Sequence, residues 1–152
     1  MWFSRKQVAK VPDSGSAVAG TGGQPGQITT KRLGDDAEAL ALAHLVRAGL
    51  RLAEANYRTP GRGGGEVDLV MHAPDGTLVF VEVRRRKSRL HGGAGASIGM
   101  TKQRRIIFAA RHYLMRFASA PPCRFDVVLI EGEDDAPGGI TVEWLRGAFE
   151  AD

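Results

Sequence analysis

The sequence predicts an α/β fold in which a mixed β-sheet is flanked by α-helices. Two stretches carry apolar residues at helical spacing, and five others show the alternation or the continuous apolar runs of strands. Their order, α, β, β, β, α, β, β, is typical of a sheet covered by helices. A chain of 152 residues, 43% hydrophobic and 25% charged, suits one globular domain and excludes collagen, coiled coils and full disorder.

The two helices are predicted over 34–49 and about 100–118. One face of the first carries Ala37, Leu40, Ala41, His44, Leu45 and Ala48. One face of the second carries Ile106, Ala109, Ala110, Tyr113, Leu114 and Phe117. Both sets follow the spacing i, i+3, i+4, i+7, i+8, i+11, which lines a single helical face. Gly49 is expected to end the first helix, and Pro121-Pro122 the second.

The strands are predicted over 50–58, 66–72, 78–84, 124–131 and 139–145. The sequence Ala-Pro-Asp-Gly-Thr at 73–77 predicts a hairpin with a three-residue loop between the second and third strands. Such a loop places Ala73 opposite Thr77. Counting outward, Asp68 then lies opposite Glu82 on the same face of the sheet.

The first 30 residues are rich in Gly, Ser, Thr and Pro, which predicts a flexible N-terminal tail before a single domain over 31–152. No apolar run is long enough to cross a bilayer, and the N-terminus lacks the apolar segment of a secretory signal. We therefore expect a cytoplasmic protein without a membrane partner. One cysteine, Cys123, excludes an internal disulfide and a Cys-rich zinc site.

Positive charge is concentrated between Arg84 and Arg116, where ten Lys or Arg residues occur without a single Asp or Glu. Such a block suits a polyanion, because phosphates that bind cationic side chains release their counterions. The predicted nucleic-acid contacts are Arg85, Arg86, Lys87, Arg89, Lys102, Arg104 and Arg105. The alternative is that the block is a solvated helix face followed by a charged loop.

Two facing carboxylates repel each other unless something positive lies between them. Asp68 and Glu82 therefore predict a divalent cation, Mg²⁺ or Mn²⁺, held by these two side chains. Arg84 follows Glu82 by two residues and shares its face of the strand. The alternative is a structural network in which the two acids pair with nearby arginines. Glu66 is either another acid of the site or a residue at the edge of the sheet.

Four segments together resemble the YraN-like family of uncharacterised bacterial proteins. They are GDDAEALALAHLVRAGLRLAEANYR, GGGEVDLVMHAPDGTLVFVEVRRR, TKQRRIIFAARHYL and RFDVVLI, and they span about residues 33–131. That family is similar to the restriction-endonuclease-like P-D-(D/E)-X-K superfamily, near the archaeal Holliday junction resolvases. The resemblance implies a restriction-endonuclease-like fold, a nuclease-like domain, branched DNA as substrate and a homodimer.

The resemblance also implies roles for individual residues. Glu38 matches the helix acid of the motif, Asp68 its aspartate and Glu82 its glutamate, and these would be catalytic together with Arg84. Arg84 stands where the motif has lysine. Arginine can stabilise the charge of phosphoryl transfer, but it cannot act as a base at neutral pH. Lys87 or Lys102 is a candidate to replace the motif lysine.

Three functions are compatible with these features. The first is a metal-dependent nuclease or nuclease-like protein acting on DNA, in which Asp68 and Glu82 hold the metal. The second, suggested by Arg84, is a nucleic-acid-binding module whose catalytic site has decayed. The third is a protein-interaction scaffold, in which the acidic C-terminal third contacts the basic third of another copy.

Overall fold

The computed structural model of the protein describes residues 30–86, 98–133 and 138–151. Two helices and five strands follow one another in the predicted order. Their bounds are α1 Thr30–Arg47, β1 Arg51–Arg58, β2 Glu66–His72, β3 Leu78–Arg86, α2 Met100–Leu114, β4 Cys123–Glu131 and β5 Thr141–Phe149. The predicted tail over 1–30 lies outside the described residues, except for Thr30, which begins α1.

The five strands form one mixed sheet in the order β1-β2-β3-β4-β5. Neighbouring strands are antiparallel except for β3 and β4, which are parallel. The crossover between these two contains α2, as parallel pairing requires a long connection. This architecture confirms the predicted mixed sheet flanked by helices, and it is consistent with a restriction-endonuclease-like fold.

The two helices contribute to two separate apolar clusters of the core. Leu45 of α1 packs with Met71, Val81 and other strand residues, whereas Ile106 of α2 packs with Phe80. Strand β3 is fully buried from Leu78 to Val81. A nearly continuous apolar run is typical of a strand that is covered on both faces.

Helix α1 is rotated relative to its predicted face. Ala37, Ala41 and Leu45 are buried as expected, but Leu40 is 37% exposed and Ala48 is exposed. The face is instead completed by Leu42, which is partly buried against the core. This rotation brings Glu38, the neighbour of Ala37, to the half-buried side of the helix.

The predicted face of α2 is confirmed. Its buried residues are Ile106, Ala109, Ala110 and Tyr113, and Leu114 and Phe117 pack partly buried beside them. The helix ends at Leu114, earlier than the proline pair predicts, and Met115 caps it with helical backbone angles. Helix α1 ends at Arg47, and Gly49 stops it as predicted, because its φ of 103° lies in the left-handed region.

The hairpin between β2 and β3 has the predicted register. Val70 faces Phe80 and Leu69 faces Val81, while the Ala73 N–H donates to the Thr77 carbonyl at 2.9 Å. The loop is closed further by Asp75, which accepts the Thr77 N–H at 3.0 Å. Because side chains alternate along a strand, the same register directs the next residues, Asp68 and Glu82, to one face.

The start of β2 lies unusually close to α2. A Cβ on Gly65 would overlap the carbonyl oxygen of Arg105 and would lie 2.6 Å from the amide nitrogen of Ala109. Thr59 holds the preceding loop closed, because its hydroxyl accepts the Gly65 N–H at 2.7 Å. Only glycine permits this approach, which brings Glu66 next to the basic side chains of α2.

We therefore expect Gly65→Ala to destabilise the protein by about 1–3 kcal/mol, the usual cost of overpacking. Either strand β2 or helix α2 would have to move. The measurement is the free energy of unfolding in urea. Gly99→Ala is the matched control, because a Cβ there meets nothing within 4 Å. A Gly65 variant as stable as the Gly99 variant would contradict the close approach.

None of the helices in the described part of the chain is long and apolar enough to cross a membrane.

Candidate functional site

Asp68 lies where the backbone pairing between β2 and β3 stops. The paired residues run from His72–Leu78 to Leu69–Val81. At the next position the Asp68 carboxylate accepts the Val83 N–H, with 2.8 Å between Oδ2 and N. This bond fixes the carboxylate against the strand that carries Glu82.

Glu82 is a buried acid without a full set of partners. Its residue is 7% exposed, and its Oε2 has no hydrogen-bond partner among the described residues. Burial, and then the neighbouring charge of Asp68, raises the pKa of Glu82 to about 8. Burial also raises the pKa of Asp68, although the Val83 N–H opposes that shift. A proton on Glu82, donated to Asp68, relieves the repulsion between the two.

A divalent cation fits this pair. Asp68 is partly buried and Glu82 is buried, and Glu82 Oε2 has no hydrogen-bond partner among the described residues. Such carboxylates are hard ligands that gain from a positive ion between them. The described residues contain no group of three or more His, Cys, Asp and Glu side chains arranged to hold a metal. Two protein carboxylates suffice for Mg²⁺, which usually keeps several waters and takes substrate phosphate as its other ligands.

Lys102 of α2 reaches the acids from the neighbouring helix. Its Nζ lies 3.1 Å from Glu66 Oε1 and 3.6 Å from Glu82 Oε1. Burial by itself lowers the pKa of Lys102, but the charges of Glu82, Glu66 and Asp68 outweigh burial and raise it. Lys102 therefore carries its positive charge beside the carboxylate pair.

Glu66 connects the acid pair to the basic residues around it. Besides Lys102, Arg105 lies 3.3 Å from its Oε1, and Arg58 lies 3.8 Å from its Oε2. The hydrogen bond from Lys102 lowers the pKa of Glu66 most, so this carboxyl stays ionised. The sequence left its role open. In the structure Glu66 pairs with the basic side chains of Arg58, Lys102 and Arg105 beside the site.

Arg84 lines the same cavity as Glu82. The cavity, of about 210 Å³, is bounded by Glu82, Arg84, Ile98, Gly99 and Lys102. The side chains of Arg84 and Lys102 therefore approach one space from two elements, β3 and α2. This space is large enough for several water molecules or for a phosphate group.

Glu38 lies on α1 at the edge of the acid group. Burial raises the pKa of its carboxyl and the charge of Asp68 adds to the rise, while a hydrogen bond from Asn56 opposes it. Asn56 lies on β1 with a φ of 53°, a conformation that asparagine tolerates better than most residues. No pattern in the sequence points to Asn56. Its role depends on how β1 and α1 pack.

The predicted nucleic-acid contacts lie in different environments. Lys102 and Arg105 contact acids of the site, Arg104 is exposed on α2, and Arg85 is half-buried on β3. Arg86 pairs with Glu131 of β4, and its side chain is only 19% exposed. Its charge thus balances a buried acid inside the sheet. Lys87 and Arg89 lie outside the described residues.

Comparison with known proteins identifies the family. The model of the uncharacterised protein family UPF0102 matches residues 37–130. A UPF0102 protein of Polaromonas naphthalenivorans strain CJ2 is 65% identical over 154 residues, 99% of each chain. Another, of Cupriavidus taiwanensis, is 57% identical over 119 residues, 78% of this chain and 83% of its own. The chain therefore belongs to the UPF0102 family, the YraN-like family that its motifs resemble.

Proposed function

We propose that the protein is a metal-dependent nuclease acting on the phosphodiester bonds of DNA. The observation that carries the proposal is the pair formed by the partly buried Asp68 and the buried Glu82, in which Glu82 Oε2 lacks a hydrogen-bond donor among the described residues. A protein does not keep such a pair for stability, because two facing acids cost free energy. The pair is useful if it binds a divalent cation.

Asp68 and Glu82 would hold Mg²⁺ or Mn²⁺ together. The ion, when bound, would supply Lewis-acid activation of water and of the scissile phosphate. The Val83 N–H orients Asp68, so this ligand needs little rearrangement to bind. Glu38 of α1, whose carboxyl feels the charge of Asp68, would act on the metal through a water molecule. Arg84 offers positive charge to the developing charge of the phosphorus centre.

Two exposed basic residues of α2, Arg104 and Arg105, would contact the phosphates of the nucleic acid. Arg105 lies three residues after Lys102, near the same face of the helix. Contacts of this kind depend on charge rather than on base sequence. Affinity for DNA should therefore fall steeply as the salt concentration rises. Branched DNA as the preferred substrate, and a homodimer as the active form, are part of the proposal by resemblance to resolvases.

The test is cleavage of labelled single-stranded, duplex, flap and four-way-junction DNA with Mg²⁺ or Mn²⁺. We expect cleavage that requires the metal and that falls at least about 100-fold in Asp68→Ala, because a metal ligand is lost. DNA binding by Asp68→Ala should remain within about threefold of the wild type, since phosphate contacts supply most of the affinity. Cleavage by this variant at the wild-type rate would contradict the proposal.

One observation favours a second function. Arg84, rather than lysine, follows Glu82 by two residues, and this is the substitution expected of a nucleic-acid-binding module with a decayed site. That module would bind DNA with a steep salt dependence and cleave none of the substrates with either metal. Arg84→Lys, which restores the motif, would then be the variant in which to look for recovered cleavage.

A further inference from the structure

We propose that Lys102 provides the positive charge at the reacting phosphate that the strand position of Arg84 is expected to provide, and that Glu66 is its positioning residue. This inference rests on the proposed function. The proposed cationic group then lies on α2 instead of β3. The strand motif, in which Arg84 follows Glu82 by two residues, does not predict this position.

The position of the Lys102 ammonium group supports the assignment. It lies 3.6 Å from Glu82, one of the two proposed metal ligands, and lines the same cavity as Arg84. Its side chain is 33% exposed, so a substrate phosphate can reach it from solvent. An ammonium group is compact and can turn among several acceptors, whereas a guanidinium fork is planar and fixed in direction.

Glu66 keeps Lys102 at this position. Its Oε1 lies 3.1 Å from the Lys102 nitrogen, and strand β2 fixes its backbone two residues before Asp68. The close approach at Gly65 sets the distance between β2 and α2. The packing of β2 against α2 therefore sets the distance between Lys102 and the acids, and this distance does not depend on the conformation of one flexible side chain alone.

This arrangement makes Lys102 and a metal compete for Glu82. Without metal, the ammonium group balances part of the charge of the acid pair. When a divalent ion binds Glu82, it repels the ammonium group, and Glu66 retains Lys102 beside the site. Removing Lys102 should therefore strengthen metal binding and weaken cleavage, and a purely structural residue would not produce opposite changes of this kind.

The experiment uses the full chain and compares Lys102→Met with Lys102→Arg, Glu66→Gln and the control Arg111→Met. Arg111 lies exposed on the same helix, so its replacement removes the same charge away from the acids. Two quantities are measured: single-turnover cleavage of the best DNA substrate, and Mn²⁺ affinity by calorimetry without DNA. Thermal unfolding confirms that each variant folds, and Lys102→Gln replaces the methionine variant if that one does not.

We expect Lys102→Met to lower the cleavage rate at least about 100-fold, as loss of a charge-stabilising group does, and to bind Mn²⁺ about tenfold more tightly. Lys102→Arg keeps the charge and should retain near wild-type Mn²⁺ affinity with part of the cleavage. Glu66→Gln frees Lys102 to pair with Glu82, so both Mn²⁺ binding and cleavage should weaken. Arg111→Met should match the wild type in both.

Cleavage by Lys102→Met within threefold of the wild type would overturn this assignment and leave the proposed nuclease intact. Loss of cleavage with unchanged or weaker Mn²⁺ affinity would also overturn it, because Lys102 would then act only through the fold. If the wild type cleaves none of the DNA substrates, the proposed function and this inference fall together.

Discussion

Glu82→Gln is expected to abolish metal-dependent cleavage while making the metal-free protein more stable. Glutamine keeps the shape of the side chain but removes the negative charge of a proposed metal ligand, so cleavage should fall at least about 100-fold. Its amide can donate to Asp68, as a protonated Glu82 does. The variant thus removes the repulsion between Asp68 and the buried Glu82, and this stabilises the fold.

The measurements are single-turnover cleavage with Mg²⁺ and urea unfolding at pH 7. Glu131→Gln is the matched control, because Glu131 is a buried glutamate of the same sheet, 7% exposed, that pairs with Arg86. Removing it leaves Arg86 without this carboxylate, so the control should lose stability and keep cleavage. A Glu82 variant that is less stable than the wild type at pH 7 would contradict the strained acid pair.

Stability of the metal-free protein should fall as the pH rises between about 6.5 and 8. In the folded state the pKa of Glu82 is about 8, and its ordinary value is 4.5. Within this window the folded protein holds a proton that the unfolded chain has released. Stability therefore decreases with pH, by about 1.4 kcal/mol per pH unit for one such group. Above pH 8 both states are ionised and the decrease ends.

The lower limit of this window follows from His72. Burial lowers its pKa below 6.5, so the unfolded chain binds the extra proton there and stability rises with pH. This opposite effect ends near pH 6.5. The raised pKa values of Lys102 and Cys123 act above pH 9 and leave the window unaffected.

Urea unfolding at several pH values between 5 and 9, with and without saturating Mg²⁺, measures this dependence. On the proposed function, Mg²⁺ would bind the ionised pair and stabilise only the folded state, so its presence should remove or reverse the decrease. Glu82→Gln lacks the titrating group and should show no decrease in the window. If the free energy of unfolding of Glu82→Gln decreased with pH by the same amount, the titrating group would be another residue.

Local sequence patterns were sufficient for the order of elements and for the acid pair. The turn residues at 73–77 predict the register of the hairpin, and the pairing of Leu69 with Val81 confirms it. The next residues along this register are Asp68 and Glu82. The buried face of helix α2 also follows from local sequence, because Ile106, Ala109, Ala110 and Tyr113 repeat at helical spacing. The family follows from the same segments, since its model matches residues 37–130.

The sequence by itself determined the helices and strands, the hairpin and the two carboxylates, because periodicity and turn geometry act over a few residues. Only the tertiary structure decided which cations surround them. Lys102 and Arg86 looked alike in one basic block, yet α2 brings Lys102 to the acids and β4 pairs Arg86 with Glu131. The position of Lys102 beside the acids depends on how closely β2 and α2 pack at Gly65. Such packing is a contact between distant segments, which no local pattern encodes.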